Sequence, residues 1–180
     1  MGVSGCGKST VGALLAQLLR CEFLEGDSLH PARNVARMAA GVALTDDDRH
    51  DWLRALAQHL KTAHDANQAL VVSCSALKRS YRDRLRSASA GLAFVHLHGS
   101  PVLLAQRLAQ RTGHYMPASL LASQLATLEA PAEDERAITL DASLAPESIA
   151  EQAAAWLVPP TPSAFTSTHP ADPSAPPTRP

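Results

Sequence analysis

No apolar run in the chain approaches the ~20 residues a helix needs to cross a bilayer. No basic segment followed by an apolar stretch opens it, as a secretory signal would. An excess of either charge is also missing. A formal net charge of -1 gives no general attraction to nucleic acid or to an anionic membrane surface. Cysteine is scarce: Cys6, Cys21 and Cys74 lack metal-ligand spacing, and an odd number does not make a disulfide framework. They read as reduced thiols of a cytoplasmic protein. Lysine is rare too, with 3 against 13 arginines. A chain that mostly chooses arginine yet keeps Lys8, Lys61 and Lys78 hints at positions where a compact ammonium matters.

What is there suits one domain. The chain has 180 residues, 46% of them hydrophobic, enough for one well-buried core and too short for two ordinary domains. The ordered domain is expected over residues 1–158. From 159 to 180 there are eight prolines in 22 residues, with Ser, Thr and Ala between them. Such a segment buries too little surface to offset its ordering entropy and reads as a disordered tail. Elsewhere, short β-like runs at 21–24, 69–74, 92–97 and 137–140 alternate with helical stretches. The helices are expected over 8–19, 46–63, 101–111, 118–127 and 146–157. This alternation predicts an α/β fold with a parallel sheet. The continuous Leu70-Val71-Val72 run suits a strand covered on both faces.

Gly2-Val3-Ser4-Gly5-Cys6-Gly7-Lys8-Ser9, followed by Thr10, satisfies the phosphate-binding loop G-x-x-x-x-G-K-[ST]. Glycines let backbone N–H groups turn inward around a β-phosphate, Lys8 bridges the β- and γ-phosphates, and the Ser9 hydroxyl can ligate Mg²⁺. The helix that follows directs its positive N-terminal dipole at the same phosphates. ATP is therefore the expected nucleotide. The motif normally follows a buried strand, yet only Met1 precedes Gly2. The expectation is that the natural protein begins upstream and that Met1 is an internal residue of that strand.

Candidate acceptor-side residues follow. Glu25 and Asp27, at the carboxyl end of a parallel strand, point toward the ligand crevice of an open α/β sheet. Asp27 can accept the proton of an attacking hydroxyl, and Glu25 can hold Mg²⁺ through water. His30, before Pro31, is either a helix-capping residue or a substrate contact, and Arg33 is a candidate carboxylate partner. Thr45 with Asp46, Asp47 and Asp48 is good helix-start chemistry that needs no catalysis; Arg49 reaches substrate or pairs locally. No acid of the Walker B sort follows the next strand, which speaks against a motor-type ATPase. Lys78 and Arg82 form a cationic pair suited to a substrate carboxylate. Arg107 and Arg111 share a helical face leading into Thr112-Gly113-His114-Tyr115-Met116-Pro117, as arginines of a lid would.

Together these pieces resemble the gluconokinase family, the small P-loop type related to shikimate and nucleoside monophosphate kinases. The resemblance rests on the loop through Thr10, Gly26-Asp27 with His30-Pro31, Leu44 with Asp46-Asp47-Asp48-Arg49, and Trp52-Leu53. It continues through Cys74-Ser75-Ala76-Leu77-Lys78, Tyr81-Arg82, Arg111 with Gly113-His114-Tyr115-Met116-Pro117, and Gln124 with Thr127-Leu128-Glu129. It implies a P-loop NTPase three-layer sandwich with a five-stranded parallel sheet, its first strand truncated here, and a helical lid. It also implies phosphorylation of the 6-hydroxyl of D-gluconate with ATP and Mg²⁺, by a cytoplasmic homodimer. His114 enters as a substrate contact on the same ground. Two other readings stay open: a P-loop kinase of another small acceptor, shikimate-like or a nucleoside monophosphate, and a non-catalytic ATP-binding module. The second has no use for a base and a lid.

Overall fold

A computed structural model describes residues 1–110 and 118–158. The chain begins on the phosphate loop and runs into helix α1 (Lys8–Leu19) and strand β1 (Glu22–Glu25), which ends in a 3-10 turn (Gly26–Leu29). Helices α2 (Ala32–Ala39) and α3 (Asp46–Asp65) precede β2 (Leu70–Ser73), and α4 (Arg79–Ala88) leads to β3 (Phe94–His98). Then come α5 (Pro101–Gln110), a 3-10 turn (Ala118–Leu120), α6 (Leu121–Thr127), β4 (Ala137–Asp141) and α7 (Pro146–Leu157).

The strands form two parallel pairs. β1 pairs with β2 from Glu22 opposite Leu70 to Glu25 opposite Ser73, and β3 pairs with β4 from Phe94 opposite Ala137 to His98 opposite Asp141. The family resemblance implied five strands in one sheet, whereas four are found among the described residues, in two pairs. The pairs are joined through Met1 and Gly2. The Met1 ammonium donates to the Val95 carbonyl, Leu97 N–H donates to the Met1 carbonyl at 2.9 Å, and Gly2 N–H donates to the Ser75 carbonyl at 3.1 Å.

Both faces of the strands are covered. On one, Val11 and Leu15 of α1 and Ile149, Ala150 and Ala153 of α7 pack with Leu97 and Leu140. On the other, Trp52, Leu56 and Leu60 of α3 and Tyr81 and Leu85 of α4 pack with Phe94 and Met1. Val71 joins the first cluster while Leu70 and Val72 join the second, as two-sided burial of β2 requires.

The sequence reading missed α4. Its inward face carries Arg82 beside Tyr81 and Leu85, so apolar periodicity is weak. Arg82 is fully buried and donates through Nε and Nη2 to Glu135 at 2.7 and 2.8 Å, and through Nη1 to the carbonyls of Ala76, Leu77 and Glu129. Arg86 adds a bond to Glu135 at 2.7 Å. These bonds tie α4 to the turn before β4. The hydrogen bonds from Arg82, helped by Arg86, hold the Glu135 carboxyl at about 2, below its ordinary 4.5. A depressed carboxyl stabilises the fold above its unfolded pKa, and that contribution is lost as pH falls from about 4.5 toward 2. Glu135→Gln therefore lowers stability at pH 7 by about 3 kcal/mol, because it leaves a buried arginine short of its counter-charge. Urea unfolding should show that gap between variant and parent closing as pH drops below 4.5.

Candidate active site

The phosphate loop takes its shape from glycine. Gly5 and Gly7 sit at φ 84° and 92°, in the left-handed region that only glycine enters at little cost. Gly7 is the N-cap of α1, with no side chain capping the helix and no acid in its first turn. The N–H groups of that turn are left for an anionic ligand. Helix α3 shows the contrast. Thr45 accepts from Asp48 N–H at 3.2 Å while the Asp48 carboxylate accepts from Thr45 N–H at 2.9 Å, and Asp46 and Asp47 fill the same turn. One helix start is closed by its own side chains and the other is open. Lys8 curls over the loop, donating to the Val3 carbonyl at 3.1 Å.

Facing the loop, the end of β1 turns sharply at Gly26. A Cβ there would lie 2.2 Å from the Ser73 carbonyl oxygen, so only glycine lets the turn lie this close to β2. Trp52 of α3 is fully buried beneath it and donates from Nε1 to the Gly26 carbonyl at 2.8 Å. Its ring stacks on His30 at 4.4 Å between centroids and 10° between planes. Trp52 thus holds both ends of the segment carrying Asp27 and His30.

A small cavity collects the polar groups: Ser4 and Lys8 from the loop, Asp27 and His30 from the turn, Arg49 of α3, Ser75 after β2, and Ser123 and Gln124 of α6. Burial pushes His30 down to about 4, against the pull of nearby Asp27 and with the help of Arg49. The ring is therefore neutral at pH 7, and its Nδ1 is buried without a partner among the described residues. Arg49 is 9% exposed and lies 6.0 Å from the Tyr81 ring centroid. Its guanidinium forms no hydrogen bond or ion pair with any described residue. Gln124 Oε1 accepts from the Ser4 N–H at 2.7 Å, joining α6 to the loop.

Of the residues picked from the sequence, Ser4, Lys8, Asp27, His30 and Arg49 come together in this cavity. Ser9 is half-buried beside Lys8, and Glu25 accepts a hydrogen bond from the Ser73 hydroxyl. Others lie elsewhere. Arg82 is fully buried, with Nε and Nη2 on Glu135 and Nη1 on three carbonyls, and does not line the cavity. Lys78 donates to both carboxylate oxygens of Asp46 at 2.8 Å, and Arg33 pairs with Asp51 at 2.7 Å with a largely exposed side chain. Arg107 occupies the last turn of α5, away from the cavity lining. Arg111 and His114 fall outside the described residues. Ser75, Ser123 and Gln124 were not picked; only the motif strings containing Ser75 and Gln124 pointed to them.

The Shikimate kinase family model matches residues 4–157. A gluconokinase of Gluconobacter oxydans (strain 621H) is 49% identical over 159 residues, covering 84% of this chain and 85% of that protein. A solved gluconokinase from Sinorhizobium meliloti 1021 superposes with a TM-score of 0.79 at 50% identity, over 87% of this chain and 88% of the other. An unliganded sugar kinase from Janibacter sp. HTCC2649 gives a TM-score of 0.84 at 47% identity, over 87% and 91%.

Trp52→Phe keeps a ring against His30 but removes the donor to Gly26. Leaving that buried carbonyl unpaired costs about 1–3 kcal/mol. We expect a lower denaturation midpoint and, because the turn carrying Asp27 loosens, a fall in kcat larger than any change in KM for ATP.

Proposed function

Because the chain belongs to the shikimate kinase family as one of its gluconokinases, we propose that it transfers the γ-phosphoryl group of ATP to the 6-hydroxyl of D-gluconate. The products are 6-phospho-D-gluconate and ADP. The observation that carries the acceptor assignment is Arg49, a buried cation without a carboxylate partner among the described residues, in the same cavity as Asp27 and Lys8. Gluconate has a carboxylate at one end and a primary hydroxyl at the other. Arg49 holds the carboxylate, a role Lys78 and Arg82 cannot fill while Asp46 and Glu135 engage them.

Asp27 takes the proton from the 6-hydroxyl as its oxygen attacks the γ-phosphorus, and the bond from that phosphorus to the β,γ-bridging oxygen breaks to release ADP. The loop N–H groups and Lys8 neutralise charge on the β- and γ-phosphates. Neutral His30 accepts a hydrogen bond from a sugar hydroxyl at Nδ1, and Gln124 fixes the loop from α6. Arg107 and Arg111 serve the lid.

Ser9 and Glu25 supply oxygen donors of the kind Mg²⁺ prefers. Ser9 lies in the first turn of α1 beside Lys8, with its hydroxyl unpartnered among the described residues. Among those residues no group of three or more His, Cys, Asp or Glu forms a cage. That suits an ion that keeps waters and takes phosphate oxygens. Ser9 would hold it directly and Glu25 through water, and it would neutralise charge on the nucleotide. No described helix is long and apolar enough to cross a membrane. The family resemblance further supports a homodimer working in the cytoplasm, and the three unpaired cysteines suit that compartment.

The test is ADP release with ATP and Mg²⁺, comparing D-gluconate with shikimate, glycerate and AMP, and using Lys8→Ala as blank. Gluconate-dependent release that vanishes in the blank is expected; folded protein that responds to another acceptor instead would overturn the substrate. Arg49→Met should raise KM for gluconate about 10- to 100-fold, the worth of one charged hydrogen-bonding contact, with KM for ATP little changed. Asp27→Asn should lower kcat by about 100-fold or more while ATP still binds.

A further inference from the structure

The cavity in front of the phosphate loop has a volume of about 20 Å³, room for about one water. D-gluconate, a six-carbon acid, enters only if a wall moves. Most of the lining is built into the fold. The turn after β1 hangs on Trp52, Arg49 belongs to a helix packed on the core through Trp52, Leu53 and Leu56, and Ser75 follows β2 directly. The remaining wall is α6 with the turn before it, which contributes Leu120, Ser123 and Gln124.

Two stripes of side chains run along this wall. Leu121, Leu125 and Leu128, at i, i+4 and i+7, pack on the core that carries Val3 and Cys6 of the phosphate loop. Leu120 and Gln124, also four apart, face the site. Leu120 is buried against Met38 of α2 and Leu44, in a cluster of three residues separate from the two larger ones. Gln124 Oε1 accepts from the Ser4 N–H at 2.7 Å, and Ser4 lies between Gly2 and Gly5 of the phosphate loop. Past the helix the chain is pinned. Glu129 N–H donates to the Leu77 carbonyl at 2.8 Å, and the Glu129 carbonyl accepts from Arg82 at 2.9 Å. A roll of α6 about its core stripe therefore moves Leu120 and Gln124 together.

We propose that Leu120, Met38 and Leu44 form a latch on the acceptor site, and that Gln124 is a positioning residue tying this latch to the phosphate loop. The inference rests on gluconate as the acceptor. Entry of gluconate separates Leu120 from Met38 and Leu44, and the same roll draws Gln124 Oε1 off the Ser4 N–H. The loop then loses a bond that fixes the spacing of its N–H groups around the phosphates. Acceptor and nucleotide thereby oppose each other at the binding stage, each raising the other's Kd by the same factor. The latch also weakens gluconate binding by itself. Only the fraction of molecules with Leu120 released takes the acceptor, so the apparent Kd is the intrinsic value divided by that fraction. Weakening the latch therefore tightens acceptor binding, although it removes apolar contacts from the rim of the cavity.

The test is calorimetric titration of the full chain with D-gluconate and with a non-hydrolysable ATP analogue plus Mg²⁺, each alone and in the presence of the other. In the parent, gluconate should raise the Kd of the analogue about 5-fold or more, and the analogue should raise that of gluconate equally. Leu120→Ala and, from the opposite side of the latch, Met38→Ala should each lower the Kd for gluconate about 5-fold. The two substitutions are independent, so one that fails to fold leaves the other to decide. Gln124→Met, close in shape but without the acceptor oxygen, should bind the analogue less tightly by itself and lose the coupling. Absence of coupling in the parent, tighter nucleotide binding with gluconate, or latch variants that bind gluconate no better would each overturn the proposal. A parent that binds no gluconate at all would overturn the acceptor assignment and the latch with it, so the two failures are distinguishable.

Discussion

Three main-chain hydrogen bonds made by Met1 and Gly2 hold the two strand pairs in one frame, and the phosphate loop hangs from that junction. Everything chemical is placed relative to it. The loop occupies the point where the carboxyl ends of β2 and β3 converge, and the turn after β1 meets it from the side. A Cβ on Gly2 would come within 2.7 Å of the Leu97 carbonyl, so the junction tolerates no side chain. Without it, the sheet would be two ribbons with unmatched edges, and a two-stranded ribbon is marginal by itself.

The charges around the cavity are divided by what already satisfies them. Asp46 and Asp48 are held below the ordinary carboxylate range, Asp46 chiefly by Lys78 and Asp48 chiefly by the Thr45 N–H. Arg82 and Glu135 neutralise each other in the core. Among the described residues, what remains uncommitted is the Arg49 guanidinium, the first turn of α1, and a neutral His30. An anionic nucleotide and an anionic acceptor fit that remainder, since each brings the charge that one of these groups lacks.

Much of the architecture was legible in sequence, because long periodic helices and apolar strands declare themselves. The start and end of α1 and α7 matched the structure, and the strand runs differed by one or two residues at their ends. The phosphate loop was legible because its glycines are conformational requirements. What was hidden depended on partners distant in sequence. Arg82 and Lys78 read as a carboxylate clamp, yet Glu135 lies 53 residues from the first and Asp46 lies 32 from the second. Helix α4 escaped because an arginine takes an apolar residue's place on its inner face. Gln124 carries no signal of its own; its value comes from meeting Ser4, 120 residues away.

The central claim is that Arg49 and Asp27 grip opposite ends of one acceptor in front of the phosphate loop. A crystal structure with D-gluconate and a non-hydrolysable ATP analogue tests it most directly. The account predicts the gluconate carboxylate on the Arg49 guanidinium and the 6-hydroxyl within hydrogen-bond distance of Asp27, in line with the γ-phosphate. Gluconate lying with its carboxylate on Lys78 or Arg107, and Arg49 untouched, would contradict it.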